Sequence, residues 1–337
     1  MTNIKKIPFI FAILSFLTFF TSANSEIKVV TSIKPIHSLA SYLMEGVGRP
    51  SLIVDGYASP HGFAMKPSHA KMLQEADIIF WVGEGLENFL EKPLKTVAKN
   101  AEKIELIEIK ALNKLKFRER NIFDDHDHDE HGHDDHGKKE DDHDHDHDDH
   151  GKKDDDHDDH GHDDHDGHAH GEFDPHIWLD PVNAKVILKE MAEHLIENDE
   201  KNSAIYKKNL AKALKDIDAL IKNTKSELSK SVASIVFHDA YQYFEERFNV
   251  NILGAFTVNT DVMPGAEQLA EVREIIEHEK VACVFSEPQF NPDIIKAVAK
   301  DMDIKTGVVD PLGATLNPGK DLYFKLIQNM STSFKNC

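Results

Sequence analysis

The strongest constraint on the fold is a repeated change of hydrophobic period along the chain. Short apolar, β-rich runs at residues 27–30, 52–54, 78–82 and 104–109 alternate with amphipathic segments at 36–44, 67–75 and 86–99. The alternation resumes nearer the C-terminus, with apolar runs at 235–237, 252–256, 281–285 and 304–309 separated by helical stretches. Strands separated by helices are brought back side by side in the same direction, which predicts parallel sheets covered by helices. Between the two halves lie a helical segment at 182–196 and a second at 201–229, the latter without a Gly or Pro to break it. At a rise of ~1.5 Å per residue the second is on the order of 40 Å long, enough to span a small domain. The expected fold is therefore α/β, with two lobes, each a parallel sheet flanked by helices, joined by one long linker helix. The boundaries expected are 26–198 for the first lobe, 199–229 for the linker and 230–337 for the second lobe.

Two segments stand outside this pattern. Lys5 and Lys6 precede an apolar stretch at 7–20 and a small polar run at 21–25. A charged start, a short apolar middle and a small-residue exit read as a secretory signal peptide over 1–23, with cleavage after Ala23 or Ser25 both fitting. The apolar stretch falls short of the roughly 20 residues a membrane span needs, and no later run is longer. The mature chain is expected to be soluble, monomeric and exported to a periplasm. The other segment, 124–170, alternates His with Asp and holds 22 Asp or Glu against 4 Lys, a net of −18 out of −21 for the chain. It is too polar to bury surface against its ordering entropy and is expected to be a disordered insertion. The rest is nearly neutral, so nothing suggests nucleic acid, for which a basic patch would be needed.

Cys283 and Cys337 are the two cysteines of the chain. An even count in an exported protein reads as a disulfide, the alternative being two unpaired thiols. A bridge would close a long loop and tie the C-terminus to a strand of the second lobe, with roughly 4 kcal/mol of chain-entropy stabilisation.

Fifteen of the 22 histidines lie in the insertion, and the seven others differ in setting. His194 and His278 fall in polar helical patterns and read as solvated; His37 and His69 begin or sit within helices and read as structural or exposed. His61 follows the 52–54 strand in the loop Ala58-Ser59-Pro60-His61-Gly62, His176 follows the fourth strand and the insertion, and His238 ends the 235–237 strand. Open α/β sheets bind ligands beyond the carboxyl ends of their strands, so these three can meet if the lobes face each other. Asp310, after the 304–309 strand, passes the same positional test. Three imidazoles and a carboxylate make a tetrahedral N/O set suited to Zn²⁺, and imidazole-rich coordination favours zinc over Mn²⁺. Any one of these histidines alone would be read as structural; it is the set, beside a His-rich tract, that points to metal.

Several stretches carry a resemblance. They are Pro60-His61 with Lys66-Pro67-Ser68, Ala76-Asp77-Ile78, Trp81-Val82-Gly83, Asp174-Pro175-His176-Ile177-Trp178-Leu179, Phe237-His238-Asp239-Ala240-Tyr241, Glu287-Pro288-Gln289-Phe290 and Asp310-Pro311-Leu312-Gly313. As a set they resemble the zinc-specific solute-binding proteins of bacterial ABC importers (the ZnuA type), within the wider group of metal-binding lipoproteins and adhesins, over essentially the whole mature chain. The resemblance implies His61, His176 and His238 as zinc ligands, a disulfide between Cys283 and Cys337, and a membrane permease with its cytoplasmic ATPase as partners. A His-rich insertion before the second ligand is typical of zinc members, and manganese relatives tend to carry Glu in place of His238. Some zinc members have an acidic residue just before the first histidine; here it is Pro60, which leaves Asp310 or water as the fourth donor.

The expected function is capture of Zn²⁺ in a cleft between the lobes and delivery to an ABC importer, with the insertion collecting further ions weakly. Two other classes compete. A zinc hydrolase would also use three histidines and an open position, but the chain lacks H-E-x-x-H, a deaminase H-x-E with C-x-x-C, and G-x-S-x-G; no catalytic activity is expected. A periplasmic zinc buffer or adhesin without a transporter is the third.

Overall fold

In the computed structural model the described residues are 26–118, 121–122, 171–230, 232–258, 260, 264–300 and 302–337. The expected signal peptide and insertion both lie outside them.

The first lobe is a four-stranded parallel sheet of β1 (Val29–Ile33), β2 (Ser51–Val54), β3 (Ile78–Trp81) and β4 (Glu102–Glu105), in the order β2-β1-β3-β4. The second repeats the plan with β5 (Ser234–His238), β6 (Ile252–Thr257), β7 (Cys283–Ser286) and β8 (Lys305–Val308), in the order β6-β5-β7-β8. In each lobe the first strand is internal and the next two flank it on opposite sides. Its carboxyl end therefore opens at a point where the chain direction across the sheet reverses, the usual place for a ligand crevice. Helices α1 (Lys34–Leu43), α2 (Pro67–Glu75) and α3 (Asn88–Thr96) connect the first sheet; α6 (Gln242–Phe248), α7 (Ala266–His278) and α8 (Asp293–Ala299) connect the second. The expected α/β architecture with two parallel sheets is borne out.

Between the lobes run α4 (Pro181–Asn198) and the 25-residue α5 (Ser203–Glu227). Helix α4 starts where the sequence dictates: Asp180 caps it by accepting from the Val182 amide, and Pro181 sits in the first turn, where its missing N–H costs nothing. Asp180 is buried and also takes a two-pronged ion pair from Arg247 of α6, with both N···O distances at 2.7 Å. The last helix, α9 (Leu322–Lys335), leaves the second sheet to pack on α1 and α5. One core therefore runs from Ile33 and Phe80 in the first lobe through Ile217 of α5 and Phe334 of α9 to Tyr241 and Phe285 in the second. A smaller core, with Phe237, Phe256 and Val284, fills the far side of the second sheet.

The stretch after β4 also crosses between lobes. Asn121 accepts from the Ala255 amide at 2.8 Å and Ile122 forms an antiparallel bridge with Gly254, so residues 121–122 border the edge strand β6. The approach requires a glycine: a Cβ on Gly254 would lie 2.5 Å from the Asn121 carbonyl oxygen. Cys283 and Cys337 are joined in a disulfide, with Cα atoms 5.8 Å apart, which secures the end of α9 to β7. Among the described residues no helix is long and apolar enough to cross a membrane.

Candidate metal centre

His238 is the last residue of β5 and carries its ring over the carboxyl end of the second sheet. His176 precedes a buried 3₁₀ turn, Ile177–Leu179, that leads into α4. His61 comes from the loop after β2. Each offers a ring nitrogen to one cluster whose donor atoms all lie within 4.8 Å of one another. His176 and His238 are buried, at 3% and 5% exposure, while His61 is half-buried at the rim.

The orientation of the two buried rings is fixed from behind. His176 Nδ1 lies 2.7 Å from Asp174 Oδ1, which also accepts from the His176 amide. His238 Nδ1 lies 2.6 Å from Glu287 Oε1. Carboxylates at both Nδ1 positions make these the protonated nitrogens and turn both Nε2 lone pairs towards the cluster. The two Nε2 atoms are 3.4 Å apart. When neither Nε2 carries a proton, two lone pairs facing across that gap repel unless a cation lies between them. With Zn–N bonds of about 2.0–2.1 Å, the edge of a zinc tetrahedron is ~3.3–3.4 Å, so the gap matches the expected ligand spacing.

The electrostatics reinforce this. Burial, and then the neighbouring His238, hold His176 well below the usual imidazole range, so it stays neutral. For His238, burial pushes downward, but the charge and hydrogen bond of Glu287, with the charges of Asp239 and Asp174, together leave the ring above its ordinary value. Burial raises Asp174 to about 7. Burial also raises Asp239, next to His238, to about 7, against the pull of Arg118, whose guanidinium bridges Asp239 and Glu245 at 3.1 and 2.8 Å.

Asp310 is placed differently. Its Oδ1 accepts from the Leu312 and Gly313 amides and from Gln289 Nε2, shaping the turn after β8, and it does not join the three-histidine cluster. Its neighbours Pro311 and Leu312 do line the cleft, with Ser59, Pro60, Trp178 and Phe290. Of the other histidines, His37 is buried against the Pro50 carbonyl and His69 accepts from the Lys66 amide. His278 is exposed, whereas His194 leans on Glu102 of β4 at 2.8 Å instead of facing solvent. The sequence reading missed Asp174 and Glu287 as partners of the ligand candidates; the spacing Asp-Pro-His carried a usable signal for the first, and nothing local did for the second.

Two parallel-sheet lobes on a shared helical spine, with imidazoles from both converging in the cleft, define the class of two-lobed, metal-binding solute carriers. Residues 29–337 match the family described as zinc-uptake complex component A, periplasmic, and the chain belongs to that family. It is 46% identical over 317 residues to the high-affinity zinc uptake system protein ZnuA of Brucella abortus (strain 2308), covering 94% of this chain and 92% of that one. It is 36% identical over 317 residues to the protein of the same name from Yersinia pestis, covering 92% and 90%. In fold it is similar to the periplasmic zinc-binding protein TroA of Treponema pallidum, with a TM-score of 0.69 at 14% identity over 93% of this chain and 99% of that one.

Proposed function

We propose that this chain binds one Zn²⁺ tightly between its lobes in the periplasm and hands it to the permease of an ABC zinc importer. His61, His176 and His238 supply three nitrogen donors. The observation that carries the reading is the pair of Nε2 atoms 3.4 Å apart, each presented by a carboxylate on the opposite side of its ring. Family membership, and the zinc-uptake name of relatives matched over nine-tenths of their length, support the transport role. The fourth position is filled by Asp310 or by water. Asp310 Oδ1 is engaged by the 312–313 turn and by Gln289, and Asp310→Asn separates the two: a marked loss of affinity assigns the carboxylate, an unchanged affinity assigns water.

His61, the least buried donor, is the natural first ligand to detach. Gly171 and Phe173, which follow the His/Asp-rich insertion directly, line the same cleft beside His61 and His176. That placement supports the insertion as a weak, exchangeable collector feeding the mouth of the site. The carrier reading needs no catalysis, and partners are a permease and its ATPase.

The test is metal titration of the chain lacking 124–170, with Zn²⁺ and Mn²⁺ in competition. One tight Zn²⁺, preferred over Mn²⁺ and lost in His61→Ala, His176→Ala and His238→Ala, supports the assignment. Tight stoichiometric loading that survives all three substitutions overturns it. Growth under chelation, with and without the gene in transporter-deficient cells, separates importer component from buffer.

A further inference from the structure

Lys34 opens α1, a poor place for a cation, because the positive end of the helix dipole is there. Its side chain is also buried, at 5% exposure. A lysine in such a position needs strong compensation, and the structure provides it from the other lobe. Lys34 Nζ donates to the carbonyls of Gly313, Ala314 and Leu316 at 3.2, 2.9 and 2.9 Å, which uses all three ammonium protons. Asp55 Oδ1 stands 3.4 Å away and balances the charge.

The two loops that meet at this ammonium both wall the metal cleft. Asp55 ends the β2 region and begins the turn that carries His61, six residues on. Gly313 to Leu316 continue the turn shaped by Asp310, whose next residues, Pro311 and Leu312, face Ser59, Pro60 and His61 across the cleft. Pro311 is held a second time, by Trp178 Nε1 donating to its carbonyl at 2.8 Å. Lys34 thus sits behind the cleft, where a segment of each lobe must move for the walls to part.

We propose that Lys34 is a positioning residue of the metal cleft, pinning the 310–316 loop of the second lobe to the base of the His61 loop and so setting how fast the bound ion escapes. The proposal rests on the cleft being the zinc site. Without the ammonium, the Ala314 and Leu316 carbonyls lose this donor, Gly313 keeps only the Leu316 amide, and the loop takes up other arrangements to satisfy them.

The test uses the full mature chain loaded with half an equivalent of Zn²⁺, so that the tightest site fills first. Release into excess chelator is followed by stopped-flow tryptophan fluorescence, since Trp178 lies 5.3 Å from the His176 ring. Lys34→Gln is expected to release about tenfold faster, with faster amide exchange confined to 310–316 and the His61 loop. Lys34→Arg, which keeps charge and donors, is expected to restore release to within about twofold of wild type. Wild-type release from Lys34→Gln, or an arginine variant as defective as the glutamine one, overturns the proposal. Should Lys34→Gln not fold, Asp55→Asn removes the other half of the junction at an exposed position: faster release supports the latch and wild-type release refutes it. A wild-type chain with no single tight site would sink the cleft reading itself, whereas tight binding with release indifferent to residue 34 sinks only the latch.

Discussion

Glu287→Gln separates the charge behind His238 from the geometry it enforces. The side chain is fully buried and its Oε1 lies 2.6 Å from His238 Nδ1. Glutamine keeps an oxygen for the Nδ1 proton, so the ring holds its tautomer, and its amide nitrogen can face the Tyr241 hydroxyl that stands beside the Glu287 carboxylate. What is lost is the negative charge that makes the imidazole a stronger donor. Changing such an outer partner of a metal-bound histidine costs about 10–100-fold in affinity, or about 1.4–2.7 kcal/mol. The same charge holds His238 above its ordinary pKa in the metal-free protein, so protons compete with zinc in the wild type from a higher pH than in the variant. Proton competition is weakest at the alkaline end of the range, so the loss is most fully visible at pH 8. As pH falls, wild-type affinity declines first, so the ratio of the two dissociation constants must narrow. Competition titrations against a chromophoric chelator at pH 8, 7 and 6, on chains lacking 124–170, measure this directly. A Glu287→Gln variant within twofold of wild type at pH 8, or a ratio that widens on acidification, would refute the argument.

Three other outcomes follow from the same physics. Cys337→Ser opens the 54-position loop closed by the disulfide and is expected to cost about 2–4 kcal/mol, read as a lower urea midpoint that reduced wild type reproduces. Gly254→Ala drives a Cβ to 2.5 Å from the Asn121 carbonyl; a loss of about 1–3 kcal/mol, with amide exchange accelerating first at 121–122 and 255, is expected in urea and exchange measurements. Glu87 is buried, and burial raises its pKa from 4.5 to about 7 against the Ser32, Gly83 and Val82 hydrogen bonds. A carboxyl with a raised folded pKa lends stability below its unfolded value that is lost as pH climbs through the folded one. Glu87→Gln is therefore expected to gain on wild type between pH 5 and pH 8, by at most about 3 kcal/mol, and thermal melts across that range check the sign.

Much of the fold was legible because parallel strands buried on both faces announce themselves. The runs at 78–82 and 252–256 lie over β3 and β6 almost residue for residue. The first strand was read too early, at 27–30, because β1 continues through Thr31 and Ser32, polar side chains that are fully buried in an internal strand. Thr31 satisfies its hydroxyl on the Ser51 carbonyl of the neighbouring strand, a partner that no local pattern discloses. The three histidines were legible from their strand-end positions, and Asp310 passed the same test, yet its Oδ1 is taken up by the amides of its own loop and by Gln289. Position along a strand says where a side chain starts, and only the turn geometry says where its oxygens go. Glu287, 49 residues from His238, and the carbonyls around Lys34, some 280 residues away, have no trace in a linear pattern. The stretch before the insertion, placed by the sequence inside the first lobe (26–198), also reaches the edge of the second sheet.

That crossing bears on how a carrier of this kind lets go of its cargo. Two lobes joined by a flexible hinge would open as rigid bodies, but here the ties between them are numerous and buried. Phe334 of α9 packs against Tyr241, Phe244 and Phe285 of the second lobe, while α9 itself lies on α1 of the first. Arg247 clamps Asp180 with two short bonds, and Tyr323 donates to the Trp178 carbonyl at 2.8 Å. Parting the lobes would expose a continuous core at about 25 cal/mol for every Å² of apolar surface, a cost that rises with each of these contacts. The loops at the cleft carry far less. His61 is half-exposed, its loop begins at an exposed Asp55, and the facing turn, shaped within its own lobe by Asp310, is tied across the cleft by one ammonium and one indole N–H. Small, local rearrangement of those two loops is therefore the expected low-energy route for an ion held there, and we expect its trigger at the rim of the cleft and not at the back of the spine.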